Sequence, residues 1–178
     1  MANMPEYTTE RFKKSIAVSE FIDKYVDVPK FLQFCRECPN YDKIWSCPEY
    51  EFDPMTIWGK YQYLDLIVVK ASYDEKTRER IYTQEELGHI GKDTLLVEKQ
   101  KLMDEFLEKE KNTPNSLSMV AGSCDVCSRK DDSLKCTKLS GDPCRHPEKM
   151  RYSIDSLGGD VIGAASERKL IVFTKFRD

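Results

Sequence analysis

The stretch 122–151, GSCDVCSRKDDSLKCTKLSGDPCRHPEKMR, constrains this chain more than any other. It sets four cysteines, Cys124, Cys127, Cys136 and Cys144, in a polar segment marked by glycine and proline, with too few large apolar residues to build a core. Something other than hydrophobic burial must order it. Thiolates converging on a metal ion or metal cluster are the economical answer, because coordination bonds replace the missing core. Metal-linked folding energies of roughly 10–16 kcal/mol rival the whole net stability of a domain, about 5–15 kcal/mol. This half of the protein is therefore expected to be poorly ordered without its metal.

An upstream segment repeats the theme. CRECPNYDKIWSCPEY places Cys35, Cys38 and Cys47 at C-x2-C-x8-C, and Cys124, Cys127 and Cys136 repeat that spacing, each 89 residues after its counterpart. Seven cysteines cannot all pair as intramolecular disulfides. The opening MANMPEYTTERFKKS lacks the apolar run of a secretory signal, so a reducing, cytoplasmic setting is expected, where thiols serve metal binding or redox chemistry. Buried structural cysteines would be scattered among Val and Leu, whereas these cluster among Pro, Asp, Ser and Lys.

With 178 residues, the chain suits a single domain with a core of its own. A net charge of -3 with interleaved signs gives no nucleic-acid footprint and no polybasic membrane patch. No apolar run approaches the roughly 20 residues that span a bilayer, so a soluble protein is expected. P-loop, GxGxxG, GxSxG and HExxH signatures are missing, which gives no support to the common nucleotide-binding, serine-hydrolase and zinc-protease classes.

Residues 1–14 read as a polar, flexible arm, followed by a short strand near 15–19 and a segment that delivers Phe31, Leu32 and Phe34 to the core before the first cysteine loop, 35–50. YLDLIVVKASY, 63–73, reads as a largely buried strand. From about 83 to 111 apolar residues recur at helical spacing through Leu102, Met103, Phe106 and Leu107, with Gly88 and Gly91 as candidate interruptions. LSMVAG, 117–122, reads as a second strand. Strand, helix, strand over 63–122 predicts a right-handed βαβ unit with parallel strands. A short helix capped by Gly158 or Gly159 and a strand at about 169–176 complete the chain. The expected fold is α+β: a mixed sheet of about four strands, helices mainly on one face, and both cysteine loops projecting from one end, where open α/β sheets gather ligands.

The boxes CPNYDKIWSCP and GSCDVC, with the later CRHPEKMRYS, resemble DUF2284, a bacterial and archaeal family of predicted metal-binding proteins. That family shows C-P-x-Y-x3-W-x-C-P-P, G-x-C-x2-C and C-R-x-P-x3-R-x-S, and the resemblance covers most of the chain. Three departures stand out. Glu49 replaces a proline after Cys47, two residues rather than three separate Cys35 from Cys38, and residues 128–135 insert before Cys136. The resemblance implies metal binding and specifies no reaction.

Two cofactors compete for the thiolates. A zinc ribbon would draw on Cys35, Cys38, Cys124 and Cys127, leaving Cys47, Cys136 and Cys144 without a role. An iron–sulfur cluster, a [4Fe-4S] cubane above all, takes four cysteines from an irregular loop with proline beside a ligand. Pro39, Pro48 and Pro143 stand beside Cys38, Cys47 and Cys144. On that reading Cys124, Cys127, Cys136 and Cys144 make a complete site. Cys35, Cys38 and Cys47 make a three-thiolate site, with one iron open to water, substrate or a partner side chain. Arg145, Arg151 and Lys130 are candidates to balance cluster charge or bind an anion, and His146 to ligate or shuttle a proton. Tyr41 and Trp45 are placed to shield a site, while His89 reads as surface. No catalytic residue is assigned, and the expected partner is a redox protein or a small-molecule substrate.

Overall fold

Six consecutive buried residues, Leu64 to Val69, make strand β2 (Tyr63–Tyr73) the interior of the molecule. A strand apolar on both faces needs cover on both. The computed structural model describes residues 6–128, 131, 133–166 and 171–177. Before β2 come strand β1 (Tyr7–Ala17) and helices α1 (Val18–Tyr25), α2 (Val28–Glu37) and α3 (Met55–Trp58). After it come α4 (Glu75–Glu79), α5 (Gln84–Gly91), α6 (Val97–Lys111) and β3 (Leu117–Met119). Beyond the second cysteine loop lie α7 (Val161–Ser166) and β4 (Ile171–Arg177).

The sheet has the order β1-β2-β4-β3, and every pair is antiparallel. This corrects the expected βαβ unit and mixed sheet. β2 and β3 run the same way, since each opposes β4, but β4 lies between them and they do not pair with each other. Only three residues of β3, Leu117–Met119, join the ladder, all against β4. The α+β class holds.

Helices cover both faces rather than mainly one. On one face Leu64, Leu66 and Val68 pack with Ile16, Phe21, Trp58, Ile154 and Leu157; on the other Ile67 and Val69 pack with Leu102, Met103 and Phe106 of α6. Residues 7–14, read as part of a mobile arm, extend β1 along the whole of β2. Their polar side chains are fastened to α6: Arg11 forms a two-pronged ion pair with Glu105 at 2.7 and 2.8 Å, and Tyr7 donates to Glu98 at 2.9 Å.

The predicted helix across 83–111 forms as α5 and α6 joined by a π-helical turn, Lys92–Leu96. Thr83 starts it with a capping box shared with Glu86. Gly88 and Gly91 do not break it. The π turn instead buries Thr94, whose hydroxyl meets that of Tyr73 at the end of β2 at 2.5 Å. Gly158, at φ 88°, closes the short 3-10 turn Asp155–Leu157, as the sequence suggested for a cap. Among the described residues no helix is long and apolar enough to cross a membrane.

Candidate metal centre

The first cysteine group is set by the end of α2. Asp27 caps that helix by accepting from the Lys30 amide at 3.1 Å, and Pro29 occupies its first turn. Cys35 lies in the last turn, and the helix stops at Cys38, whose amide donates to the Cys35 carbonyl at 3.0 Å. Tight turns then carry the chain back, with the Asp42 amide reaching the Pro48 carbonyl at 2.6 Å and the Cys47 amide reaching that of Ile44 at 2.9 Å. Cys38 is exposed, Cys35 half-buried and Cys47 buried. Burial, followed by the neighbouring Cys47, Asp155 and Cys38, pushes the Cys35 thiol up to about 11. Burial also pushes the Cys47 thiol up, against the Ser46 hydroxyl and the cations Lys138 and Lys99. Cys35, Cys38 and Cys47 are carried on the end of α2 and the turns that follow it.

The second group starts where β3 ends. Gly122, at φ 70°, turns the chain towards Cys124. Despite the insertion at 128–135, Cys136 returns to the same place, at the head of a 3-10 turn, Thr137–Ser140, that Gly141 closes at φ 74°. Cys124, Cys127, Cys136 and Cys144 all line one cavity of about 330 Å³, whose apolar wall includes Trp45 and Leu139. All four are half-buried.

The two loops are fastened to each other. The fully buried Ser46 is the hub: its hydroxyl accepts from the Cys124 amide at 2.8 Å, and its carbonyl accepts from Tyr50 Oη at 2.6 Å and Ser156 Oγ at 3.1 Å. Asn40 donates to Ser123 Oγ at 3.1 Å, and Trp45 Nε1 to Thr137 Oγ1 at 3.3 Å. Lys138 of the second loop donates to the carbonyls of Cys47 and Glu49 at 3.2 and 3.3 Å, pairs with Asp42 at 3.1 Å and lies over the Trp45 ring. From α6, Lys99 donates to the Ser123 carbonyl at 2.6 Å.

Both cysteine boxes, with the strands and helices that carry them, fall within residues 22–174, which match the family model described as a predicted metal-binding protein. The chain belongs to the DUF2284 family. No curated protein and no solved structure matches it.

The metal binding expected of a DUF2284 protein can be tested against the donor set. Among the described residues no three His, Cys, Asp or Glu side chains stand where they could hold one metal ion. A single zinc, with Zn–S near 2.3 Å, needs its sulfurs within about 3.8 Å of one another. Four thiols on the wall of one cavity could hold a thiolate-bound metal group, with Cys124, Cys127, Cys136 and Cys144 as its donors. The donors are soft, the wall is largely apolar, and Lys43 and Lys135 lie on it.

Other residues singled out from the sequence take different places in this DUF2284 chain. Arg151, expected near a cofactor, is committed elsewhere: its guanidinium grips Glu110 of α6 at 2.5 and 3.1 Å, with both side chains largely buried. Glu110 also accepts from the Ser118 amide at 2.7 Å. Arg145 donates to the Lys135 carbonyl at 2.8 Å and closes the loop rather than lining the cavity. Lys130 lies outside the described residues. His146 and Trp45 line the cavity, and His89 is exposed beside Glu85.

Ser46, Lys138 and Lys99 were missed by the sequence reading. Ser46 stands between Trp45 and Cys47 in a box read only for its cysteines and aromatics. Lys99 was one position in the helical pattern with Leu95, Leu96 and Leu102, with nothing local to tie it to a cysteine loop.

Proposed function

We propose that this protein binds iron–sulfur clusters and carries electrons. Cys124, Cys127, Cys136 and Cys144 hold one cluster, and Cys35, Cys38 and Cys47 supply three thiolates to a second. The observation that supports this reading is the gathering of four cysteines of one loop around a single cavity. When bound, such a cluster supplies reversible one-electron chemistry.

The chain's own residues account for the rest. Trp45 and Leu139 form part of the apolar wall beside the second-loop thiols, and Lys138 and Lys99 oppose the negative charge of Cys47. Half-burial of all four second-loop cysteines sets that site near the surface, within reach of a redox partner protein. Ser46 couples the two groups through one side chain.

Protein purified without oxygen should be brown, with iron and acid-labile sulfide in equal amounts and a signal in electron paramagnetic resonance after reduction. Colourless protein containing zinc and no sulfide would replace this reading with that of a zinc-stabilised binding module.

A further inference from the structure

We infer that the cleft between β1 and the helices α1 and α7 is a binding site for a small carboxylate with an apolar body, with the ammonium of Lys14 as its charge partner. The cleft, of about 430 Å³, shares no lining residue with the cysteine cavity. Phe12, Lys14 and Ile16 stand opposite Val68, Leu66 and Leu64 in the β1–β2 ladder, so all six belong to one face of the sheet, the face away from α6. Ile16, Leu66 and Val68 are core residues there, and Phe12 packs against them. Tyr25 of α1 and Ala164 and Ala165 of α7 complete the lining. The two alanines are too short to fill the space between helix and sheet.

Lys14 interrupts the apolar alternation of that face. The other cations of the strand are taken: Arg11 pairs with Glu105 at 2.7 Å, and Lys13 lies 3.9 Å from Asp65. Beyond Phe12 on the same face, Lys70 pairs with Glu10 at 3.1 Å. Glu20, held below the usual carboxylate range by Lys24 first and by Lys14 least, is ion-paired to Lys24 at 2.7 Å. The exposed Lys14 ammonium makes no hydrogen bond or ion pair among the described residues. One uncommitted cation beside an apolar floor matches a ligand with one negative charge and an apolar body. A second charge on the ligand would lie against apolar side chains with nothing to replace its water. The volume falls near the lower end for ligand pockets, roughly 300–1,000 Å³, so the ligand is small. An inward lysine on an edge strand can also deter the addition of another strand, and β1 is an edge. That role requires no cleft beside the lysine.

Titration calorimetry on the full-length protein provides the test, with octanoate as the probe and octanol and octylammonium as its neutral and cationic counterparts. Octanoate is expected to bind once per chain, about tenfold or more tighter than octanol, as a charge-assisted contact supplies. Octylammonium should not bind. Lys14→Gln should bring octanoate down to the level of octanol and leave octanol unchanged. Ala164→Leu, which fills the cleft, should abolish the binding of both, with thermal unfolding as the check that the variant is folded. If it does not fold, Lys14→Gln on the exposed strand decides alone. Equal affinity for octanoate and octanol, or no binding of either, would overturn the assignment. So would octanoate binding that persists in a folded Ala164→Leu protein or is unmoved by Lys14→Gln. A Lys14→Gln chain that dimerises with its octanoate affinity unchanged would assign the lysine to protection of the edge instead. None of these readouts involves the metal, so failure here leaves the cluster reading standing.

Discussion

Ser46 is a small residue on which two distant loops depend. Its hydroxyl is the acceptor for the Cys124 amide, and its carbonyl gathers Tyr50, Ser153 and Ser156. Replacing it with alanine keeps the carbonyl contacts and strands the Cys124 amide, a loss on the order of 1–3 kcal/mol for a polar group left unpaired away from water. Ser46→Ala should lower the melting temperature of the metal-free protein and weaken metal retention at the second loop more than at the first. Differential scanning fluorimetry and metal content per chain measure the two effects separately. Equal loss at both groups would mean that the serine acts through the whole loop pair rather than through Cys124.

Among the elements, α6 ties several parts together. It covers one face of the sheet with Leu102, Met103 and Phe106, grips β1 through Glu105, and holds the second cysteine loop at both ends through Lys99 and Glu110. The Arg151–Glu110 pair is largely buried, so its removal leaves a charge with no equal partner. Arg151→Ala should cost about 3–5 kcal/mol in urea unfolding. Arg151→Lys should recover only part of this, because an ammonium cannot reproduce the two-pronged contact. If Arg151→Ala instead leaves stability intact and abolishes metal binding, the arginine serves the cofactor after all. Much of α6 was legible from its apolar spacing, and β2 from its run of β-branched residues, because both patterns are local. The pairing of β4 between β2 and β3 was not, since it depends on a strand more than fifty residues beyond β3. The same distinction divides the candidate site: cysteine spacing marked the candidate donors, whereas Ser46 gains its place only when separate segments fold together. Arg151 misled for a related reason, as a basic residue in a cysteine box carries no mark of a glutamate waiting on another helix.

In the whole molecule, two apolar clusters flank β2 without help from the cysteine loops. The loops, by contrast, have little core of their own. Stripping the metal with a chelator should therefore leave 63–111 protected from hydrogen exchange and open 122–151. Limited trypsin digestion is then expected to cut first near Lys135, Lys138 and Arg145, faster by at least about tenfold than in the loaded form, as local opening demands. Uniform loss of protection across the chain would show that sheet and loops unfold as one. The sheet order gives this division a further meaning. During synthesis β3 and the whole second cysteine loop leave the ribosome before β4, the strand that must slide between β3 and β2. Until it arrives, the second cysteine loop hangs from an unfinished edge, so the interval in which its thiols are most open to an incoming metal is also the interval before the sheet is locked.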